Sequence, residues 1–158
     1  MQIKIRDGRD GDAEGLVELI AGCYAEYAGC VLDVDNEVPE LKSIATAHAQ
    51  ADGRFWVAES GGKVMGCVGF VPNGNGTVEM KKLYVTSEAR RMGLGARLCS
   101  LVEVEARSRG ATTVELWSDT RFKEAHRLYE RRGYERGPKT RALKDKSKSV
   151  EYYYKKAL

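Results

Sequence analysis

Two arginines and two glycines follow a predicted strand, at the point where a helix is expected to begin. Arg90 and Arg91 precede Gly93 and Gly95 in this turn. Unpaired backbone N–H groups and the helix dipole make such a helix start favourable for a negatively charged ligand. Glu79 lies on the preceding strand, where its carboxylate could act as a base. The combination suggests transfer chemistry on a phosphate-bearing cofactor.

Hydrophobic periodicity and turn residues predict the elements that position these groups. Strands are expected over residues 2–6, 55–59, 63–71, 77–85, 112–117 and 150–154. Helices are expected over residues 10–27, 39–51, 91–109 and 121–132, the last capped by Asp119 or Thr120. This order indicates an α/β fold, a central mixed sheet flanked by about four helices. A change of phase at Lys81 and Lys82 indicates a β-bulge.

The composition is that of an ordinary globular domain. A chain of 158 residues with 42% hydrophobic and 31% charged residues is expected to form one domain over residues 1–158. The opening residues lack the apolar segment of a signal peptide, and the longest apolar run, residues 64–71, is too short to span a bilayer. A cytoplasmic location without a membrane partner is therefore expected.

The cysteines and histidines give no metal-binding pattern. The four cysteines contain no Cys-x-x-Cys pair, so reduced thiols are expected, with Cys67 left open as a nucleophile. Only two histidines are present, so no metal site is expected.

The two ends of the chain carry opposite charge. Residues 7–52 hold eleven acids and two bases, a net charge of −9, whereas residues 121–158 hold thirteen bases and five acids, a net charge of +8. One end suits a cationic partner and the other an anionic one, or both are solvated helix faces.

Two segments resemble the GNAT family of N-acetyltransferases. Residues 90–96 fit its Gln/Arg-x-x-Gly-x-Gly/Ala signature, and residues 125–134 resemble its second element, alanine, then leucine-tyrosine, then glycine-aromatic. The resemblance covers residues 55–134. It implies an acetyl-CoA-dependent N-acetyltransferase, in which an amine attacks the thioester directly through a tetrahedral intermediate and no acyl-enzyme forms.

The resemblance also implies where acetyl-CoA lies, in a V-shaped opening between the fourth and fifth strands. The pantetheine would run along the fourth strand, with the Leu83 N–H aimed at the thioester oxygen. Phe122 stands where many relatives have an asparagine, so contact there is apolar or shifts to Asp119 or Thr120. The predicted cofactor-binding residues are Leu83, Tyr84, Val85, Arg90, Arg91, Met92, Gly93, Leu94, Gly95, Ala96 and Phe122, with the pyrophosphate on the N–H groups of Arg91, Gly93, Gly95 and Ala96.

The resemblance implies Glu79 and Tyr129 as the catalytic pair. Glu79 would remove a proton from the amine; Glu115 or a chain of waters are the alternatives. Tyr129 would protonate the departing thiolate; the alternative is a tyrosine that only packs on its helix. His126 is expected to be exposed.

The sequence says less about the amine that would accept the acetyl group. Acids and tyrosines in the segment expected to wall its site suit a cationic amine: Tyr24, Glu26, Tyr27, Asp33, Asp35, Glu37 and Glu40. The alternative function is a non-catalytic acyl-CoA-binding or regulatory module. The basic C-terminal third lacks the aromatic and arginine platform of single-strand binders, so no nucleic-acid partner is expected. Such enzymes commonly form homodimers, which the sequence does not decide.

Overall fold

The fold is built on one seven-stranded mixed sheet, described over all 158 residues by a computed structural model. The strand order is β1-β2-β3-β4-β5-β7-β6, and only β4 and β5 are parallel. The strands are β1 Lys4–Asp7, β2 Arg54–Ser60, β3 Lys63–Pro72, β4 Thr77–Val85, β5 Thr113–Asp119, β6 Glu135–Ala142 and β7 Val150–Ala157. The predicted α/β fold with a central mixed sheet is confirmed.

Five α-helices flank the sheet, two of them shorter than eight residues. They are α1 Ala13–Tyr24, α2 Val34–Glu37, α3 Ile44–Gln50, α4 Leu94–Ser108 and α5 Lys123–Arg131. Short 3₁₀ turns, Asp10–Asp12 and Pro39–Ser43, precede α1 and α3. No helix combines the length and the apolar character needed to cross a bilayer.

Two hydrophobic cores lie on opposite faces of the sheet. The larger one packs α4 and α5 against the sheet and includes Phe70, Leu98 and Tyr154. The smaller one packs α1 and the segment before α3 against β2 and β3, through residues such as Leu16 and Leu41. Burial of these apolar side chains is the main favourable term that holds the layers together.

The sheet opens between β4 and β5. Only three residue pairs join these strands, Thr77 to Thr113, Val78 to Val114 and Glu79 to Glu115. Beyond Glu115 the two strands part, which leaves the C-terminal halves of both without a neighbour on that side. The predicted V-shaped opening therefore has a structural counterpart.

The bulge predicted in β4 is present. The register with β3 shifts between Cys67 and Gly69, and Lys82 adopts a left-handed φ of 56°. The Cys67 thiol donates to the Lys82 carbonyl at 3.1 Å. The bulge reverses the side-chain phase of β4, so Tyr84 packs toward α1.

Several sequence-based predictions of elements were wrong in detail: α2 was not predicted, and the helix predicted over residues 10–27 is α-helical only over Ala13–Tyr24. β6 was missed because its sequence, with Gly137 and Pro138, does not alternate. The helix predicted over residues 91–109 begins at Leu94, since Arg91 and Gly93 form a left-handed turn. The helix predicted over residues 121–132 begins at Lys123, with Phe122 at the N-cap position.

Candidate active site

A cleft of about 590 Å³ occupies the opening between β4 and β5. Its walls are the ends of β4 and α1, the turn before α4, the first turn of α4 and one side of α5. The lining residues are Cys23, Tyr27, Leu83, Tyr84, Val85, Arg90, Arg91, Gly93, Leu94, Gly95, Ala96, Phe122, Glu124, Ala125, Arg127, Leu128 and Arg131. Ten of the eleven predicted cofactor-binding residues are brought together here; Met92 is the exception.

The turn before α4 presents free backbone donors to this cleft. Arg91 and Gly93 have positive φ values of 67° and 75°, and Gly93 is the N-cap of α4. No backbone or side-chain acceptor pairs with the N–H groups of Arg91, Gly93, Leu94, Gly95 and Ala96. A Cβ added at Gly93 would meet no protein atom within 4 Å. The turn thus leaves five amides unpaired beside space that a ligand can enter, and such an array favours an anion.

Arg90 lines the cleft but is already engaged. Its guanidinium donates to both carboxylate oxygens of Glu26 at 2.5 Å and to the Val85 carbonyl at 3.2 Å. The Arg90 N–H donates to the Thr86 carbonyl. Arg90 therefore joins α1 to the turn, and its positive charge is neutralised by Glu26.

Three other arginines keep their charge free. Arg91, Arg127 and Arg131 line the cleft, are exposed, and form no ion pair or side-chain hydrogen bond. Arg127 and Arg131 are four residues apart on α5, so they share one face of that helix. Neither arginine was predicted from the sequence as a binding residue, although their spacing on a predicted helix was a usable signal.

The end of β4 offers backbone groups to the cleft. The Thr86 N–H donates to the Met65 carbonyl of β3. Because hydrogen bonding alternates along an antiparallel ladder, Val85 turns its backbone away from β3. The Val85 carbonyl accordingly accepts from the Cys23 thiol at 3.5 Å and from Arg90. Leu83 shares this phase, so its amide also faces the opening.

Glu79 and Glu115 are neighbours at the last parallel pair of β4 and β5. Both side chains are partly exposed, and they point away from the core that buries Val78 and Val114. Asn73 donates to Glu115 at 3.3 Å, whereas Glu79 has no protein partner. Neither carboxylate lines the cleft, and only the Glu79 carboxylate makes no hydrogen bond to the protein.

Tyr129 lies at the edge of the larger core. Its ring packs against Tyr134 and Tyr154, with centroids 5.8 and 5.6 Å away, and the side chain is 5% exposed. Tyr129 does not line the cleft, although its neighbour Leu128 does. Its hydroxyl has no hydrogen-bond partner and is not fully enclosed. Burial raises the pKa of the Tyr129 phenol, so it stays protonated at physiological pH.

Of the other two predicted cofactor-binding residues, Phe122 lines the cleft and Met92 does not. The Met92 side chain is 46% exposed and its N–H donates to Ala89, so neither group is turned to the cleft. Phe122 lines the cleft as an apolar residue and packs on Tyr27, with ring centroids 5.1 Å apart. Asp119 does not cap a helix; it accepts two hydrogen bonds from the Arg121 side chain.

The expectation that His126 is exposed was wrong. His126 is 5% exposed, and its Nε2 lies 3.1 Å from the Ser118 hydroxyl and 3.0 Å from the Asp119 carbonyl. Burial lowers the pKa of this imidazole. The histidine thus links α5 to the end of β5 through hydrogen bonds.

The cysteines do not supply an activated nucleophile. Cys67 is fully buried, and burial raises the pKa of its thiol well above the usual range. Burial also raises the pKa of the Cys23 thiol, which lies at the cleft wall. Because the thiolate is the reactive form, both groups are held in the unreactive state.

The acids expected to attract a cationic acceptor are paired within the chain. Glu26 binds Arg90, Asp33 binds Lys146 and Glu40 binds Lys82. Asp35 forms an ion pair with Lys42, and Glu37 accepts from the Lys146 N–H at 3.0 Å. The segment therefore has little spare negative charge, which removes the electrostatic support for a cationic acceptor.

Residues 15–134 match the family described as acetyltransferase (GNAT) family. A probable N-acetyltransferase family 8 member 5 of Mus musculus is 33% identical over 77% of this chain and 54% of its own length. The uncharacterized N-acetyltransferase YjgM of Escherichia coli is 30% identical over 78% of this chain and 77% of its own length. The chain spans about half the length of the vertebrate relatives it matches.

Solved structures show the same fold. A GNAT-family acetyltransferase from Staphylococcus aureus aligns with a TM-score of 0.84, at 21% identity over 99% of both chains. The PaiA N-acetyltransferase of Thermoplasma acidophilum, solved in complex with coenzyme A, aligns with a TM-score of 0.77 at 17% identity over 100% of both chains. The chain belongs to the acetyltransferase (GNAT) family, as its sequence motifs predicted.

Proposed function

We propose that this chain transfers an acetyl group from acetyl-CoA to an amine. The observation that carries the proposal is the row of five unpaired N–H groups at the start of α4, from Arg91 to Ala96. Arg91, Arg127 and Arg131 surround this row with free positive charge. An elongated, diphosphate-bearing ligand matches that arrangement better than a neutral one. The family and a relative solved with coenzyme A agree with this assignment.

The rest of the cleft suits the thioester end of such a ligand. Leu83 and Val85 would pair with the pantetheine amides through their backbones, because these groups are turned from β3 to the opening. The Leu83 N–H would face the thioester oxygen, which gains negative charge as the amine adds to the carbonyl carbon. A donor aimed at developing charge is typically worth ~10²–10³ in rate.

Two proton transfers complete the reaction. The ammonium form of the acceptor must lose a proton before its nitrogen can attack, and Glu79 is the proposed base because its carboxylate has no partner. The nitrogen–acetyl bond forms, the carbon–sulfur bond breaks, and the coenzyme A thiolate takes a proton. Tyr129 is the proposed donor, since its hydroxyl is protonated and makes no hydrogen bond to the protein.

A thiol-release assay with acetyl-CoA and a panel of amines tests this function. We expect Glu79→Gln and Tyr129→Phe to lower kcat within the ~10²–10⁴ range of general acid–base catalysis, with acetyl-CoA affinity unchanged. Glu115→Gln is the matched control for Glu79→Gln, and its kcat should stay near that of the wild type. A larger loss in Glu115→Gln would make Glu115 the base, and equal rates in Tyr129→Phe would leave that residue a packing role.

The same assay separates the catalytic proposal from its alternative. Tight acetyl-CoA binding, measured by calorimetry, without thiol release for any amine would contradict acetyl transfer. That result would instead indicate a non-catalytic acyl-CoA-binding module.

A further inference from the structure

The sheet has an uncovered surface beside the cleft. Among the strands, helices α1 and α3 make their main contacts with β2, β3 and β4, while β5, β7 and β6 extend beyond them. Trp117 of β5 and Tyr153 of β7 are register partners on this surface, with ring centroids 5.1 Å apart, and both stay partly exposed. We call the surface formed by Trp117, Tyr153, Lys139 and Arg141 the open face.

A bulge in β6 brings a lysine onto these rings. Three residues of β6, at positions 137–139, lie opposite Tyr153 alone. Gly137 makes this possible, because a Cβ there would lie 3.1 Å from the Tyr153 ring. The Lys139 ammonium lies 4.0 Å from the Tyr153 centroid and 5.5 Å from that of Trp117. Bulges of this kind re-aim side chains at functional surfaces.

Lys139 carries the unpaired positive charge of the open face. The Arg141 guanidinium also stacks on Trp117, at 4.3 Å, but it is paired with Glu151 at 2.7 Å. Lys139 forms no ion pair, and its only close partners are the two aromatic rings. A cation held on aromatic rings keeps its charge available to an anion on its other side.

The open face lies next to the proposed reaction centre. Trp117 is the second residue after Glu115, where β5 leaves β4, so their Cα atoms are about 7 Å apart at the usual strand rise. Glu79, Glu115 and Trp117 share one face of the sheet. A small molecule at the edge of the Trp117 ring would therefore have Glu79 on one side and Lys139 on the other.

We propose that the open face binds the acceptor of the acetyl transfer, and that this acceptor is a free amino acid. Its carboxylate binds Lys139, its side chain contacts the edges of the Trp117 and Tyr153 rings, whose faces the cations occupy, and its amine points toward Glu79. The assignment of the bound molecule as acceptor rests on the proposed function. A purely cationic amine fits less well, because Lys139 and Arg141 already occupy the aromatic faces and would repel it.

A single-stranded nucleic acid is the competing ligand for such a surface. The fold does bring aromatic rings and an arginine together, which the sequence analysis did not foresee. Bases need open ring faces on which to stack, however, and here both rings are covered by cations. The geometry therefore favours a small carboxylate.

The first experiment measures binding by tryptophan fluorescence. Trp56 is 4% exposed, so a ligand-dependent signal should come from Trp117. Each standard L-amino acid is compared with its amide, which keeps the shape and removes the carboxylate charge. We expect at least one amino acid to change the emission and to bind about tenfold tighter than its amide, the effect of one charge-assisted contact. The signal should vanish in Trp117→Phe.

The second experiment removes the charge. Lys139→Met should erase the preference for the amino acid over its amide, both in fluorescence and in the KM of thiol release, with kcat nearly unchanged. Lys144→Met is the matched control, since Lys144 is exposed on the loop after β6 and has no ion pair. Its preference should equal that of the wild type.

The outcomes separate this inference from the proposed function. Thiol release with equal use of amino acids and amides, or a preference that survives in Lys139→Met, would overturn the inference and retain acetyl transfer. Carboxylate-dependent fluorescence without thiol release would retain the binding site and overturn acetyl transfer. Quenching by an oligodeoxynucleotide, but by no amino acid, would assign the open face to nucleic acid.

Discussion

The cleft and the wall beside it differ in how their charged side chains are paired. In the wall, formed by residues 26–40 with the loop 143–149, each acid has a partner such as Arg90, Lys82 or Lys146. In the cleft, Arg91, Arg127 and Arg131 have none, and five amides beside them are unpaired.

The difference shows which charges serve structure and which are available to a ligand. A paired acid fixes the position of a loop and presents little field beyond it, whereas an unpaired cation attracts an anion. The acids of residues 26–40 thus give little electrostatic support for a cationic acceptor. Glu26, Asp33 and Glu40 are instead paired with Arg90, Lys146 and Lys82, and the unpaired positive charge of the cleft lies at the start of α4 and along α5.

The largest expected effect comes from filling the row of amides. Gly93→Val places a side chain where the structure has open space, on a backbone of positive φ that β-branched residues disfavour. We expect acetyl-CoA affinity to fall about a hundredfold or more, since several charge-assisted hydrogen bonds are blocked together. Calorimetric titration measures the change.

Gly110→Val is the matched control for that variant. Gly110 also has a positive φ, 81°, and open space at its Cβ, but it lies at the other end of α4. It should lose stability to a similar degree and keep its affinity for acetyl-CoA. Equal loss of affinity in both variants would show that strain, and not the amides, is responsible.

An intermediate effect is expected from the free arginines of α5. Arg127→Ala should raise the KM for acetyl-CoA about three- to tenfold at low ionic strength, because one exposed charge contact is lost. The effect should shrink as salt is added. Arg107→Ala removes the same charge from an exposed position at the end of α4 and should leave KM unaltered. A rise in both variants would reduce the role of Arg127 to a general effect of net charge.

The smallest effect is expected in the wall. The Lys146 ammonium lowers the pKa of Asp33, with help from Asn36, so this carboxylate stabilises the fold above its unfolded pKa. Asp33→Asn should therefore lower the melting temperature at pH 7, by at most about 2 °C, because the Lys146 side chain of this pair is 61% exposed.

The pH dependence of that difference gives the sharper test. The contribution is lost as pH falls from the unfolded pKa of an aspartate, ~3.9, through the lowered pKa of Asp33, so the two melting temperatures should draw together over that range. Asp35→Asn is the control, since its ion pair with Lys42 is largely exposed and should matter little at either pH. A gap between wild type and Asp33→Asn that does not narrow as pH falls below ~3.9 would refute this account.

Turn residues and side-chain alternation predicted the parts of the site that depend only on residues close together in the sequence. Gly93 and Gly95 marked the turn before α4, because only a flexible backbone can make a left-handed start there. The phase change at Lys82 marked the bulge, since a strand with one core face must alternate. These features need no knowledge of distant residues.

Contacts between distant segments were out of reach of the same reasoning. Arg90 was predicted to bind the cofactor, yet its guanidinium is paired with Glu26, 64 positions earlier in the chain. β6 was missed because an edge strand may contain glycine, proline and charges on both faces. The burial of Tyr129 likewise depends on Tyr154, which arrives from the last strand.

The three residue pairs that join β4 to β5 are the only ladder between the two halves of the sheet. An extended molecule that bonds to β4 beyond Val78 and touches α5 bridges this seam as an additional strand would. Binding of this molecule would therefore stabilise the contact between the two halves of the sheet. Any ligand that binds only the folded form of a protein raises the stability of that form. Under the proposed function, the fully assembled sheet would consist of one chain and one bound acetyl-CoA.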